Sequence, residues 1–205
     1  MKSAKIRLSE EEQLLVSNGD WILTKNRVLN QISTFLAALQ VEQSHWIREQ
    51  ASGLPASVLA IPAKLSKGEQ YLGLPYRVLD YPRCFGPVDM FVVRTFFWWG
   101  HYFTVNLQLS GHWQKETESS LIAAFTEMQE GNVWICTGTN PWQHQLSLDA
   151  YRPALAMKRE EWEKTVLRQA FIKLSTRHEL SDWEQMGERL LADFGRLIRA
   201  TGYAD

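Results

Sequence analysis

"MFVVRTFFWWGHYFTVNLQLS", Met90 to Ser110, is the stretch whose reading decides the fold. Met90 to Trp99 and His101 to Ser110 are strand-length runs rich in aromatic and β-branched residues, and they meet at Gly100, which predicts a β-hairpin. In the second run Phe103, Val105, Leu107 and Leu109 alternate with Tyr102, Thr104, Asn106 and Gln108, the period of a strand with one dry face. A two-residue loop, Trp99-Gly100 or Gly100-His101, pairs even positions of the first strand with odd positions of the second. One face then carries Met90, Val92, Arg94, Phe96, Trp98, His101, Phe103, Val105, Leu107 and Leu109. The other carries Phe91, Val93, Thr95, Phe97, Trp99, Tyr102, Thr104, Asn106 and Gln108. A three-residue loop swaps this pairing, because a slip of one residue turns every side chain over.

Outward from the hairpin, the prolines divide the chain. All seven lie between Pro55 and Pro153, which marks a helical segment over 1–52, a proline-punctuated sheet region over 53–153 and a helical segment over 154–205. Ser9-Glu10-Glu11-Glu12 has the form of a capping box, and Gly19-Asp20 separates a short helix from a long one running to about Gln50. Ser57 to Ile61 and Tyr76 to Asp80 read as short extended pieces between turns at Lys67-Gly68 and Gly86-Pro87, with the prolines expected at strand ends or sheet edges. Glu116 to Glu130 reads as a helix, Val133 to Thr137 as a strand, and Asn140-Pro141 as a turn. Apolar spacing predicts a helix over Arg159 to Thr176, and Ser181-Asp182-Trp183-Glu184 caps a last one ending near Gly202; the charges between Arg159 and Arg199 form a solvated face. The fold class is therefore α+β, a single domain with a mainly antiparallel sheet around the central hairpin (about 90–110), covered by the N- and C-terminal helices.

Composition narrows the function classes. The 205 residues are 45% hydrophobic and 22% charged, the balance of an ordinary folded domain. Lys plus Arg is 22 against 23 for Asp plus Glu, so no strong field attracts nucleic acid or anionic membranes. The first twenty residues lack a signal-peptide core, the apolar run Met90 to Trp99 is too short to span a bilayer, and Cys84 and Cys136 sit in unrelated contexts; a cytoplasmic protein is the expectation. There is no phosphate-binding glycine loop, dinucleotide fingerprint, His-Glu-x-x-His, Cys-x-x-Cys or Gly-x-Ser-x-Gly, so no common cofactor has sequence support.

What remains is a set of single residues. Arg94 is predicted among Val92, Phe96, Phe103 and Val105, where a guanidinium needs a partner. It reads either as an anion clamp in an aromatic pocket or as an internal ion pair with Asp80 or Asp89, or a stack on Trp98. His101, at the corner beside Trp99 and Tyr102, reads as a general base or as a residue that closes a turn. With His112 and His144 it makes a conceivable metal triad, though on separate segments without ligand spacing. Cys84, beside Arg83, reads as a nucleophile or as a small buried hydrophobe. Of the nine tryptophans, Trp98, Trp99, Trp113 and Trp142 lie at strand ends and in loops, and the loop Gly138 to His144 groups Trp142 and His144 among polar residues. Two functions follow as expectations. One is a non-catalytic protein that binds a partner protein or a small aromatic or anionic ligand through Arg94, Trp99, His101, Tyr102, Trp142 and His144. The alternative is a small-molecule enzyme with a pocket built from Arg94, His101, Tyr102 and Cys84 or His144.

Overall fold

The computed structural model describes residues 5–181 and 183–204. Its centre is the hairpin, strands β3 (Met90–Trp98) and β4 (Tyr102–Ser110), joined through Trp99, Gly100 and His101, with Gly100 at φ +73° where a side chain would be strained. The loop is thus the longer one, and Trp98 faces Tyr102, Phe97 faces Phe103 and Arg94 faces Asn106. The face assignment made for a two-residue loop is corrected accordingly. Odd positions of both strands share one face, and Arg94 lies with Tyr102, Thr104, Asn106 and Gln108 rather than with Phe103 and Val105.

Around the hairpin, β1 (Lys64–Tyr71) and β2 (Leu74–Phe85) lie on one side, and β7 (Phe171–Ser175), β5 (Trp134–Cys136) and β6 (Tyr151–Pro153) on the other, in the order β1-β2-β3-β4-β7-β5-β6, all antiparallel. A short β8 (His178–Glu179) pairs with the start of β4. The odd face is dry: Phe91, Val93, Phe97, Phe103, Val105, Leu107 and Leu109 join Ile172 and Leu174 in one core with the helices. Helix α2 (Gly19–Gln50) places Leu29, Ile32, Leu36 and Leu39 against it at helical spacing, and α7 (Met186–Arg199) adds Leu190, Phe194, Leu197 and Ile198. Helices α4 (His112–Ala123), α5 (Phe125–Glu130) and α6 (Arg159–Arg168) contribute Leu121, Phe125, Met128, Trp162 and Val166 to the same core. Burial of each such side chain contributes about 1.5–3 kcal/mol, which fixes the helices to this face.

The α+β architecture with helices flanking an antiparallel sheet is as expected, and so is α1 (Glu10–Ser17), where Ser9 and Glu12 form the capping box. Several elements differ. The helix expected over 159–176 stops at Arg168, and Phe171 to Ser175 is a strand inside the sheet, so the segment 154–205 is not all helical. Residues 56–59 form a helical turn, α3 (Ala56–Leu59), rather than a strand, and Gly68 lies within β1, the turn falling at Leu72-Gly73. Pro75 and Pro82 lie inside β2, Pro82 at the irregularity between Asp80 and Arg83, where the ladder is already broken. The helix expected over 116–130 is interrupted at Ala124. Of the capping box at 181–184, Asp182 lies outside the described residues, and α7 begins at Met186.

Candidate functional site

Among the described residues no helix lies over the even face of the sheet. It is covered by the connection between β5 and β6, residues 137–150, which carries neither strand nor helix. Structureless loops longer than about 12–15 residues inside a compact domain are uncommon and are usually functional or specially held. Here side chains rising from the sheet hold it. The Tyr71 hydroxyl oxygen accepts from the backbone N–H of His144 at 2.7 Å and of Gln145 at 3.0 Å. Tyr102 accepts from Leu146 N–H at 3.0 Å, Tyr151 donates to the Gln143 carbonyl at 2.5 Å, and Lys173 donates to the carbonyls of Pro141 and Gln143 at 2.9 and 2.6 Å. The loop's backbone groups, which need partners once away from water, find them in these side chains.

Beneath the loop lies a polar strip between two aromatic patches. Asp80 and Arg94 are direct cross-strand neighbours, and Arg94 Nε and one terminal nitrogen bind the two Asp80 oxygens at 2.6 and 2.9 Å. The planar fork of arginine matches this bidentate geometry. The other terminal nitrogen lies 3.2 Å from His144 Nε2, and the guanidinium stands 5.5 Å from the centre of the half-exposed Trp142 ring. Of the two readings of Arg94, the internal ion pair with Asp80 is the arrangement present. His144 is stacked on Phe96 at 4.5 Å, and its Nδ1 lies 3.4 Å from Lys173 Nζ.

Hydrogen-bond chemistry favours one protonation pattern in this row. Arg94 can only donate, so Nε2 of His144 accepts, and a neutral imidazole then carries its proton on Nδ1. Nδ1–H points at Lys173, which can accept only as a neutral amine. A neutral Lys173 has two N–H bonds for the Pro141 and Gln143 carbonyls and a lone pair for His144, so each group is satisfied. A charged ammonium would leave the imidazole facing two obligate donors. Electrostatics run the same way. Burial lowers the Lys173 pKa to about 7, with Arg94 acting in the same direction. Burial, then Lys173 and Arg94, hold His144 well below its ordinary value. Burial pushes the hydroxyl of Tyr151 far up, and that of Tyr102 also upward.

The structure brings Arg94, Tyr102, Trp142 and His144 together. His101 is at the margin, flat against Trp98 with ring centres 3.6 Å apart. Trp99 is excluded: it packs against the helix-side core. Cys84 lies opposite Phe91 and packs against that same core, on the other side of the sheet from His144. His112 pairs with Asp89 at the surface at 3.0 Å, so the three histidines are held by different partners. Among the described residues no group of three or more His, Cys, Asp or Glu is placed to hold a metal ion. Sequence reasoning missed Lys173 and Tyr71. Lys173, assigned to a solvated helical face, is fully buried; the alternation Phe171, Lys173, Ser175 against Ile172, Leu174 was the signal that it belongs to a strand.

On the helix side of the hairpin corner a separate apolar groove lies between α2 and α7. Val28, Gln31, Ile32, Phe35, Trp183 and Met186 enclose about 470 Å³. Phe35 and Trp183 both meet the buried Phe103 edge-on, each with ring centres 5.9 Å apart, so two of the groove's walls rest on the hairpin. Phe35 also borders a second depression of about 330 Å³ farther along the two helices. No helix of the described residues is long and apolar enough to cross a membrane. No family model matches the chain, and no curated protein matches it.

Proposed function

We propose that the chain is a non-catalytic binding protein whose ligand is a small apolar or aromatic molecule seated in the groove between α2 and α7, at the hairpin corner. The observation that carries this reading is the groove itself. Its volume of about 470 Å³ lies in the range of small-molecule sites, and its walls are apolar except for Gln31, which can orient a polar substituent. Trp183, half-exposed, is the wall that a ligand would cover. The enzyme reading loses its support because the fork of Arg94 is engaged by Asp80 and His144, and Cys84 is on the opposite face from His144.

The test is a titration with the neutral fluorophore N-phenyl-1-naphthylamine, following energy transfer from tryptophan. Saturable binding is expected, weakened at least about tenfold by Trp183→Ala and by Val28→Asp, a change of about 1.4 kcal/mol in binding. Neither side chain is fully buried, so both variants should fold. Absence of saturable binding, or binding indifferent to both substitutions, overturns the reading.

A further inference from the structure

We propose that the chain forms a two-fold symmetric dimer through its helical arm, residues 5–27, with α1 of one copy packed antiparallel on the start of α2 of the other. No residue of α1 is buried, and burial along α2 begins only at Leu29. Isolated helices shorter than about 12–15 residues are marginal in water, so an eight-residue helix that buries nothing calls for something to pack on. The arm is nevertheless apolar. Leu14, Leu15 and Val16 are 74%, 48% and 74% exposed, and Trp21, Ile22 and Leu23 are 50%, 45% and 66% exposed. With about 3.6 residues per turn, three consecutive residues span roughly 200° of a helix, wider than the stripe of about 100° that one neighbour requires. No residue over 5–27 is buried within the chain, so this apolar surface is free for a neighbour from outside it.

The sequence identifies the neighbour. Around Asn18-Gly19 it reads alike in both directions: Leu14 mirrors Leu23, Leu15 mirrors Ile22, Val16 mirrors Trp21, and Glu10 mirrors Arg27. Helices paired antiparallel in this register set apolar residues against apolar residues and opposite charges against each other. Glu12 mirrors Lys25, which its own chain already holds through Glu69 at 2.7 Å, so Glu10 and Arg27 form the discriminating pair. Folding α1 back on α2 within one chain would use the same pattern, but it would bury Leu14 and Leu23, which are exposed. The pattern is therefore met between copies, where a two-fold axis makes residue i contact j and j contact i.

The area is sufficient. The six apolar residues, with Ile6 and Leu8, present on the order of 500 Å² of apolar surface. Apolar atoms supply about 60% of an interface, so this supports about 800 Å² per copy, the standard size.

Light scattering and sedimentation velocity of the full chain at micromolar concentration test the proposal. The expected mass is twice 23.7 kDa. Leu14→Lys or Leu23→Lys should give a monomer whose circular dichroism and unfolding temperature match those of a folded chain, because neither residue is buried. Glu10→Arg and Arg27→Glu should each weaken the dimer several-fold, and the two together should restore it. A double variant, Leu14→Cys with Leu23→Cys, should crosslink between chains under mild oxidation. A monomeric unaltered chain, a dimer that survives Leu14→Lys, a charge swap that restores nothing or a crosslink confined to one chain overturns the proposal. So does a chain that stays monomeric and binds phosphatidylcholine vesicles through the arm.

Discussion

The two faces of the sheet are both buried, yet by different physics. The odd face is closed by helices whose side chains are interchangeable within the limits of shape, since packing there depends on area and volume. The even face is closed by a loop, held by hydrogen bonds from Tyr71, Tyr102, Tyr151 and Lys173. Those bonds are directional, and removing Tyr71, Tyr102 or Lys173 takes a partner from a loop backbone group that no apolar side chain can supply. The difference teaches that a sheet face rich in Thr, Asn, Gln and Lys need not be a wet face. It is dry wherever an irregular chain supplies enough carbonyls and N–H groups to meet it.

The comparison can be broken most directly at Asp80. Asp80→Ala leaves the Arg94 guanidinium without its counter-ion and should cost about 3 kcal/mol, visible as a shifted urea midpoint. Replacing both partners with Asp80→Leu and Arg94→Met should recover most of that loss, because two apolar groups need no charge compensation. If the double variant is as weak as the single, the polar strip specifies the loop's position and does not merely fill the face.

The second effect is on pH. Lys173 titrates at about 7 in the native protein against an ordinary 10.5, so between these values the unfolded chain binds a proton that the folded one lacks. Stability should therefore rise with pH across that window, by on the order of 1 kcal/mol per pH unit, and Lys173→Met should flatten the rise. His144, held well below its ordinary 6.5, acts lower on the scale: stability should fall as pH drops through 6.5, where the unfolded imidazole takes up a proton. A stability profile that is level from pH 7 to 10 would mean that Lys173 is charged within the fold.

Smaller again is Tyr71→Phe, which removes the acceptor for two loop N–H groups and should cost about 1–2 kcal/mol. Amide exchange should quicken at residues 143–146 while the helix face stays protected. Smallest is Trp142→Ala. The ring is half-exposed and contributes a contact with Arg94 worth about 0.5–1 kcal/mol, so a loss beyond that would show that the indole seals the strip from water.

The parts of this molecule that were legible in its sequence are those with a period. The hairpin, the long α2 and the final helix announced themselves by alternation or by helical spacing, and Arg94's need for a partner was met by Asp80, one of the two aspartates named. The faces were inverted because one residue of loop length sets their parity, and no local pattern fixes whether Trp99-Gly100-His101 turns with two residues or three. β7 was obscured because its five residues follow an amphipathic helix whose spacing continues into Phe171 and Leu174. The loop over the even face has no period to read, and Lys173 looked like any surface lysine until the strand beneath it was placed.

The four anchors of that loop belong to β1, β4, β6 and β7, which are far apart along the chain. Except for the Tyr151 bond, which spans 8 residues, these anchors hold loop groups 30 or more residues away, and contacts spanning such separations form late because closing long chain segments is slow. Substitutions at Tyr71 or Lys173 will thus leave the rate of folding nearly unchanged and appear as faster unfolding. The segment is thus expected to act as a latch that closes last and opens first.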